Sequence, residues 1–414
     1  MGLQLGITQI QDKLTSENST LNAPNPILAT QDHNGTQTGP NMGIMVGGML
    51  YNQKYSLGAE LRLSHLEYNQ TRQLYHQQTN INQNYGSTQT TKINNFSSIF
   101  AKFGTFIMSD AMLYGQLGLG VISTKVDYVQ SLSNPAIGYQ AAQHSHSKKN
   151  PGAILGVGLE LLVSPHISIY SDFNYSYFPN YHSNANQTID NITFNFNEDL
   201  QQQLFQAVLG IKWHTRKTPK HIDAGLAGWH AGINLGLLQT SLNTMVQNAP
   251  SLLSNFMINN RFSSISPDID VVFGKSWVTK KLALFLEASA AIHPLSQNLN
   301  IKYNGETVVD SSARNTATLS LQAKPGLIFY NRILYVIAGM GTTHINVADT
   351  SSWYTIYNTG WGLEAPLADK LNIRAEYVFS FSNHTDHMNT NNLEYTNKKL
   401  VQQKGTMGLV YYFC

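Results

Sequence analysis

Apolar residues alternate with polar or small ones along most of the chain, which is the period-2 pattern of β-strands with two different faces. In the first half the alternating segments lie at 2–10, 42–51, 57–68, 96–107, 112–126, 154–163, 167–178 and 204–213. In the second half they lie at 231–239, 265–274, 282–292, 317–329, 333–346, 354–364, 371–382 and 402–413. Most have the length that a tilted strand needs to cross a bilayer, about 9–11 residues or somewhat more. No helical periodicity is sustained over three turns. The pattern predicts an all-β protein.

The connections between these segments alternate in length. Long, Asn/Gln/Ser/Thr-rich connections are predicted at 11–41, 69–95, 127–153 and 179–203, and short ones at 52–56, 108–111 and 164–166. The second half repeats this scheme, except that the connection at 347–353 is short for its place. Tight turns at one end and long loops at the other are typical of membrane β-barrels, whereas compact domains rarely contain several loops above about 15 residues.

The two faces of the predicted strands differ in character. One face of segment 167–177 carries Ile167, Ile169, Phe173, Tyr175 and Tyr177, and the equivalent face of 371–381 carries Leu371, Ile373, Ala375, Tyr377, Phe379 and Phe381. The opposite faces carry charges and small or polar residues. We expect the apolar face to meet lipid and the polar face to line a narrow interior. A soluble sandwich would place its charges outside and use strands of about 5–6 residues.

The chain contains an internal repeat. GVGLELLVSPHISIYSDFNYSYF (156–178) aligns without gaps on GWGLEAPLADKLNIRAEYVFSFS (360–382), and GLQLGITQ (2–9) aligns on GINLGLLQ (232–239). We predict an up-and-down eight-stranded antiparallel barrel over 1–215, a linker over 216–230 and a second such barrel over 231–414. A single sixteen-stranded barrel is the alternative.

Charged residues recur at inward-facing positions with nearly balanced sign. In the first half they are Glu60, Arg62, Lys102, Glu160, Asp172 and Lys212, and in the second half Asp268, Asp270, Glu287, Lys324, Glu364, Arg374, Glu376 and Lys404. Isolated charges inside a barrel would be costly, so these residues should pair. An eight-stranded barrel has room only for side chains, so they should form a polar plug. A gated proton or ion path is the functional alternative.

Composition narrows the function further. Charged residues make up 12% of the chain and the net charge is +2, which gives no reason to expect a nucleic-acid partner. Cys414 is the lone cysteine, so no internal disulfide and no cysteine-based metal site can form. No cofactor motif is present.

Residues 406–413, TMGLVYYF, resemble the C-terminal signal that the outer-membrane barrel assembly machinery recognises, through Thr406, Gly408, Tyr411 and Phe413. Cys414 departs from that signal, which normally ends on the aromatic residue. With the GxGLE motif and the NIRAEY of 372–377, the chain resembles the small outer-membrane β-barrel family of the opacity-protein and OmpA-transmembrane-domain type. The resemblance implies a multi-pass protein of the Gram-negative outer membrane. It also implies contacts with outer-membrane lipids and lipopolysaccharide, and roles in envelope integrity, adhesion or limited permeation.

Three functional hypotheses follow. The first is a non-enzymatic envelope protein whose long loops contact a host or another surface. The second is a porin-like channel for small solutes, formed by sixteen strands. The third is a lipid-modifying enzyme, in which HSHS at 144–147 supplies a Ser145–His146 pair, or HTDH at 384–387 supplies metal ligands. Both motifs lie in predicted polar loops, where solvated histidines are the simpler expectation.

Overall fold

The computed structural model consists almost entirely of antiparallel β-strands, which confirms the all-β class. The described residues are 1–21, 23, 28–51, 54–78, 83–107, 111–134, 138–164, 166–213, 227–248, 254–293, 296–303, 306–329, 332–347, 350–382, 386–390 and 393–413. Within these ranges no helix is long and apolar enough to cross a membrane. The predicted linker at 216–230 lies mostly outside them.

Eighteen strands are present in the described part of the chain. The first half contains β1 (Gly2–Leu21), β2 (Leu28–Tyr51), β3 (Tyr55–Gln78), β4 (Gln83–Phe106), β5 (Ala111–Asn134), β6 (Gly138–Ser164), β7 (Ile167–Ile189) and β8 (Ile192–Trp213). The second half contains β9 (Gly228–Asn248), β10 (Ser254–Val278), β11 (Leu282–Ile292), β12 (Ser296–Tyr303), β13 (Glu306–Phe329), β14 (Arg332–Val347), β15 (Thr350–Ala368), β16 (Leu371–Ser382), β17 (Asp386–Thr390) and β18 (Leu393–Phe413).

Each half closes into its own ring of eight strands. In the first barrel β1 to β8 pair in sequence order, and β8 pairs back with β1 from Gly2↔Lys212 upward. In the second barrel the ring is β9-β10-β11-β13-β14-β15-β16-β18, and β18 pairs back with β9. The short strands β12 and β17 pair with the N-terminal parts of β13 and β18. The structure therefore has two tandem barrels and not one ring of sixteen strands.

The prediction of long irregular loops at 11–41, 69–95, 127–153 and 179–203 is wrong for most of these residues, because the strands continue through them. β3 and β4 pair as far as Gln78↔Gln83, and β5 and β6 as far as Asn134↔Gly138. In these extensions inward-facing amides lie beside buried apolar residues such as Tyr128 and Phe194, and they donate hydrogen bonds across the ring. Gln130, for example, donates to the carbonyl of Asn195 at 3.0 Å. We call this the extended end of each barrel and the opposite end, with its short connections, the turn end.

The two rings open at the extended end and join each other. Pairing of β2 with β3 stops at Asn41↔Leu66, and pairing of β10 with β11 stops at Ile269↔Ile292. The freed edges then cross between barrels, β3 with β10 from Gln78↔Ser254 to Gln73↔Asn259, and β2 with β12 from Asp32↔Asn300 to Ala29↔Tyr303. Two separate barrels thus carry one connected β-structure at their extended ends.

Below these junctions the outer walls of the barrels pack against each other. The barrel–barrel interface contains the buried residues Ala111, Leu159, Leu161, Phe173, Phe205, Ala207, Leu363, Ala365, Ile373, Ala375 and Tyr377. Gly405 lets the two walls approach, because a Cβ at this position would lie 2.6 Å from the ring of Phe173 and 2.8 Å from that of Phe205. At the edge of the interface Arg332 Nη1 donates to the carbonyl of Leu162 at 3.1 Å.

This interface corrects the expectation that the whole apolar face meets lipid. Phe205 on β8 is 2% exposed and lies against the second barrel, whereas Ile211 and Trp213 on the same strand face are 53% and 66% exposed. The apolar faces of β7 and β16 are covered in the same way around Phe173 and Tyr377. Lipid tails are as apolar as these side chains, so close packing between small residues, and not hydrophobicity alone, selects the partner wall.

Candidate functional site

The predicted inward charges gather into ion-pair networks inside the two barrels. Thirteen of the fourteen are buried, and the Lys404 side chain is 12% exposed. Strand alternation places them there, because every second residue of each strand points into a ring too narrow for bulk water.

In the first barrel, two cations hold two carboxylates at the centre. Arg62 Nε donates to Glu60 Oε1 at 2.5 Å, and Arg62 Nη2 donates to Asp172 Oδ2. Lys102 Nζ lies 2.9 Å from Glu60 Oε2 and 3.9 Å from Asp172 Oδ2. β3, β4 and β7 supply these four side chains. The network therefore ties together strands that are not neighbours in the ring.

A second pair extends this network toward the turn end. Lys212 Nζ on β8 donates to Glu160 Oε2 at 2.7 Å, and Ser168 donates to Glu160 Oε1 at 2.7 Å. Lys212 also lies over the ring of Tyr170, with its Nζ 4.4 Å from the ring centroid. All three carboxylates of this network are thus matched by Arg62, Lys102 and Lys212.

The second barrel repeats the centre of this design. Lys324 donates to both Glu287 and Glu376, the latter at 2.6 Å, and Tyr335 also donates to Glu376 at 2.6 Å. Glu287, Lys324 and Glu376 occupy the repeat positions of Glu60, Lys102 and Asp172.

The main guanidinium of the second barrel comes from a different strand. Arg374 on β16 stands at the repeat position of Tyr170, whereas Arg62 of the first barrel is on β3. Arg374 Nη2 lies 2.7 Å from both Glu287 Oε1 and Glu364 Oε2, and its Nη1 lies 3.6 Å from Glu376 Oε1. The arginine of the central network therefore comes from a different wall in each barrel.

Two histidines complete the second interior, and sequence analysis missed both. His230 Nε2 lies 2.8 Å from Glu287 Oε1, and His293 Nδ1 lies 2.9 Å from Asp268 Oδ1. Asp268 and Asp270 also share Lys404, whose Nζ is 3.7 Å and 2.7 Å from them. Extending the alternating segments 231–239 and 282–292 by one residue each would have placed both histidines inward. Buried Asp12 and Glu198 in the first barrel were missed because their segments were predicted as loops.

The repeated GxGLE motif has a packing role in both barrels. A Cβ on Gly158 would lie 2.4 Å from the ring of Tyr114, and a Cβ on Gly362 would lie 2.3 Å from the ring of Tyr335. Each tyrosine crosses the interior at the level of the ion pairs and donates to the repeat-equivalent carboxylate, Asp172 or Glu376. The glycines provide the space that lets a ring and a charged network fill the same cross-section.

The enzyme hypothesis finds no assembled pair at 144–147. Ser145 and His146 are consecutive in β6 and point to opposite sides of the wall, so Ser145 donates to Asp127 Oδ1 at 2.6 Å and not to His146. Burial, and then His144, lowers the pKa of His146. No group of three His, Cys, Asp or Glu side chains suited to a metal occurs in the described ranges, and the side chains of HTDH at 384–387 lie outside them.

Aromatic residues mark the boundary of the barrels at the turn end. Trp213, Trp229 and Trp277 are about half exposed or more on the outer wall, and the Trp229 and Phe273 rings stack at 5.4 Å. Of the proposed assembly signal, Tyr411 and Phe413 face outward here and Thr406 is buried, whereas Cys414 lies outside the described residues. Such girdles are typical of barrels that cross a membrane.

One family model matches the first part of the chain. Residues 1–201 match the family model described as outer membrane protein beta-barrel domain. No curated protein matches the chain. Among solved structures, the P. putida toluene transporter TodX is 8% identical, with a TM-score of 0.31, covering 99% of this chain and 90% of that one.

Two other solved structures each match just under half of the chain. Neisserial surface protein A is 10% identical with a TM-score of 0.25, covering 43% of this chain and 97% of that one. The attachment invasion locus protein Ail of Yersinia pestis is 12% identical with a TM-score of 0.18, covering 49% and 98%. The family match over residues 1–201 identifies an outer-membrane beta-barrel domain, and the chain is a multi-pass outer-membrane protein.

Proposed function

We propose that the protein is a non-enzymatic surface protein of the Gram-negative envelope, in which two plugged barrels anchor an extracellular β-structure that contacts other surfaces. Short turns face the periplasm and long strands face outward in barrels of this kind, so the extended end is the outer one. The observation that carries the proposal is the division of each barrel into a sealed lower part and a long outer part. Ion pairs and tyrosines fill the lower interior, where Lys324 and Arg374 are fully buried.

The outer part supports the proposal because its strands are paired over most of their length. Strand pairing continues to hairpin ends such as Asn134↔Gly138, and the crossing pairs of β3 with β10 and β2 with β12 hold the two barrels together. A β-structure anchored at two points in the membrane presents a broad surface of Asn, Gln, Ser and Thr side chains. The porin hypothesis would instead require an open lumen through the membrane.

We expect the refolded full-length protein to give no large, stable conductance steps in a planar lipid bilayer, because both lower interiors are filled by paired charges. Insertion is checked by protease protection in the same vesicles, and a known sixteen-stranded porin serves as the positive control. Porin-sized steps that scale with the inserted amount would overturn the anchoring proposal and favour the channel.

Shortening the β5–β6 hairpin tests the surface role directly. Residues 129–143 are replaced by Asn-Gly, which joins the cross-strand pair Tyr128↔His144 by a two-residue turn. We expect cells displaying the variant to lose attachment to glass and to cultured epithelial cells, while heat-dependent gel mobility shows that the barrels still fold. Undiminished attachment to both surfaces by the shortened protein would count against a surface role for this hairpin.

A further inference from the structure

The wall of the first barrel opens between β6 and β7 at the extended end. Pairing of these two strands stops at Ala153↔Tyr177, although β6 stays paired with β5, and β7 with β8, as far as their hairpin ends. Beyond this point side chains bridge the two strands in place of backbone pairs. Asn150 Nδ2, for example, donates to the carbonyl of Pro179 at 3.2 Å. The outer interior of the barrel therefore has an opening in its side wall.

Two histidines of β6 lie at this opening. His144 and His146 belong to the inward row of the strand, and the residues opposite them in β5, Tyr128 and Val126, are both buried. The two histidines are half-buried, and Lys148, the next residue of the same row, is exposed. This row faces the interior and is nevertheless reached by solvent, which gives a small ligand an entry path.

Aromatic rings from three other strands hold the two imidazoles. The His146 ring stacks on that of Tyr128 with centroids 6.1 Å apart, and it contacts the Tyr181 ring of β7 at 5.4 Å. The His144 ring contacts the Phe196 ring of β8 at 5.9 Å. Nδ1 and Nε2 of His146 are both buried, and neither has a hydrogen-bond partner among the described residues. A buried polar group without a partner is uncommon, and a bound ion is one explanation for it.

The spacing of the two imidazoles suits a shared metal ion. Their ring centroids are 5.6 Å apart, and the ring planes are inclined by 30°. Two imidazoles that bind one tetrahedral metal ion, each through a nitrogen–metal distance of about 2.0–2.1 Å, have centroids roughly 5 Å apart. Residues two apart on a strand point to the same side of the wall, so small side-chain rotations bring one nitrogen of each ring to the same ion.

We propose that His144 and His146 bind a divalent transition-metal ion that prefers imidazole, such as Cu²⁺, Ni²⁺ or Zn²⁺. Neutral imidazole nitrogen is a common ligand of these ions, and Cu²⁺ binds most tightly among them. Hard cations such as Ca²⁺ are not expected here, because they need roughly 6–8 oxygen ligands. Two protein ligands leave the other coordination positions to water. The site does not depend on the proposed surface-contact function.

Lys148 is the charged group that opposes metal binding. Its Nζ lies 4.2 Å from the centroid of the Tyr181 ring, and this ring contacts His146. A positive charge so close to the two imidazoles repels a divalent cation. Removing this charge without removing either histidine should therefore tighten metal binding.

The test measures Cu²⁺ binding to the untagged full-length protein in neutral detergent at neutral pH, by isothermal titration and by electron paramagnetic resonance. H144A/H146A is compared with H65A/H182A, which removes two exposed histidines from the same barrel. H144A/H146A should lose one Cu²⁺ site per chain, and H65A/H182A should keep it. K148Q should bind Cu²⁺ more tightly than the unchanged protein does.

The resonance spectrum identifies the ligands of the ion. Its splitting should show two imidazole nitrogens in the unchanged protein and one in H144A or H146A, and isotopic labelling of histidine nitrogen should change it. Equal Cu²⁺ binding by H144A/H146A and H65A/H182A, or a spectrum of the unchanged protein without two imidazole nitrogens, would overturn the proposal. If H144A/H146A loses its heat-dependent gel mobility, the single variants decide, and a two-nitrogen spectrum in either of them would also overturn it.

Discussion

Replacing Arg374 by alanine is expected to lower the free energy of unfolding by about 3–5 kcal/mol, the range for removing one partner of a buried ion pair. Arg374 is fully buried, and its guanidinium contacts Glu287 and Glu364 at 2.7 Å. After the substitution, Glu287 keeps its contacts with Lys324 and His230, Glu376 keeps Lys324, and Glu364 keeps its bonds from Asn372 and Tyr412. The measurement is urea unfolding in lipid vesicles, followed by tryptophan fluorescence.

The matched control for this variant is Lys370→Ala. Lys370 is a cation in the β15–β16 turn, four residues away in sequence, and it is exposed. It should change stability by less than about 1 kcal/mol, as exposed charges usually do. Arg374→Lys keeps the charge but loses the two-pronged contact with Glu287 and Glu364, so it should fall between the two. If Arg374→Ala unfolds at the same urea concentration as Lys370→Ala, the network does not stabilise the second barrel.

Sequence patterning predicts the membrane-level barrel well because burial differs sharply between the two faces there. The inward positions of the charged residues follow from alternation alone, and the structure places all fourteen inside the rings. The pairing of each cation with a particular carboxylate does not follow from the alternation. Arg62 and Arg374 occupy unrelated strands and yet contact the repeat-equivalent carboxylates, Asp172 and Glu376, because only the three-dimensional ring brings distant strands face to face.

The outer strands escape prediction for a physical reason. On the inward rows of β4 and β5, buried polar residues such as Gln89, Thr91 and Gln130 are mixed with apolar ones, which weakens the difference in hydropathy between the two faces. Two local signals were available. Ile192, Phe194 and Phe196 alternate with polar residues at the start of β8, as an inward row does. Asp190 and Asn191 both have positive φ and form the two-residue turn that joins β7 to β8, and Asp and Asn are residues that such hairpin turns favour.

The contact between the barrels cannot be predicted from the alternation of residues either, because an apolar strand face can lie against lipid or against another barrel. Its one distinguishing feature is the presence of small residues among aromatic ones, such as Ala207 beside Phe205 and Ala375 beside Tyr377. Small residues at packed surfaces in membranes let backbones approach closely. Gly405, which faces Phe173 and Phe205 across the interface, is the most sensitive of these positions.

Replacing Gly405 by leucine is expected to separate the membrane-level walls of the two barrels. The first added carbon would already lie 2.6 Å from Phe173 and 2.8 Å from Phe205, and both rings are held in a packed interface. Overpacking of this kind costs about 1–3 kcal/mol, and lipid competes for the same apolar surface. Separation would expose Trp361, which packs at the interface, to acyl chains.

The measurement is quenching of Trp361 fluorescence by lipids with brominated acyl chains, in a protein whose other four tryptophans are phenylalanine. Gly405→Leu should raise the quenching clearly above that of the parent. Gly48→Leu is the matched control, since Gly48 faces outward on β2 with no atom within 4 Å of an added Cβ. It should leave Trp361 shielded, because the same leucine there meets only lipid. Equal quenching in the two variants would mean that the barrels do not depend on close packing at Gly405, and the pairs that join β3 to β10 and β2 to β12 would then be what holds them together.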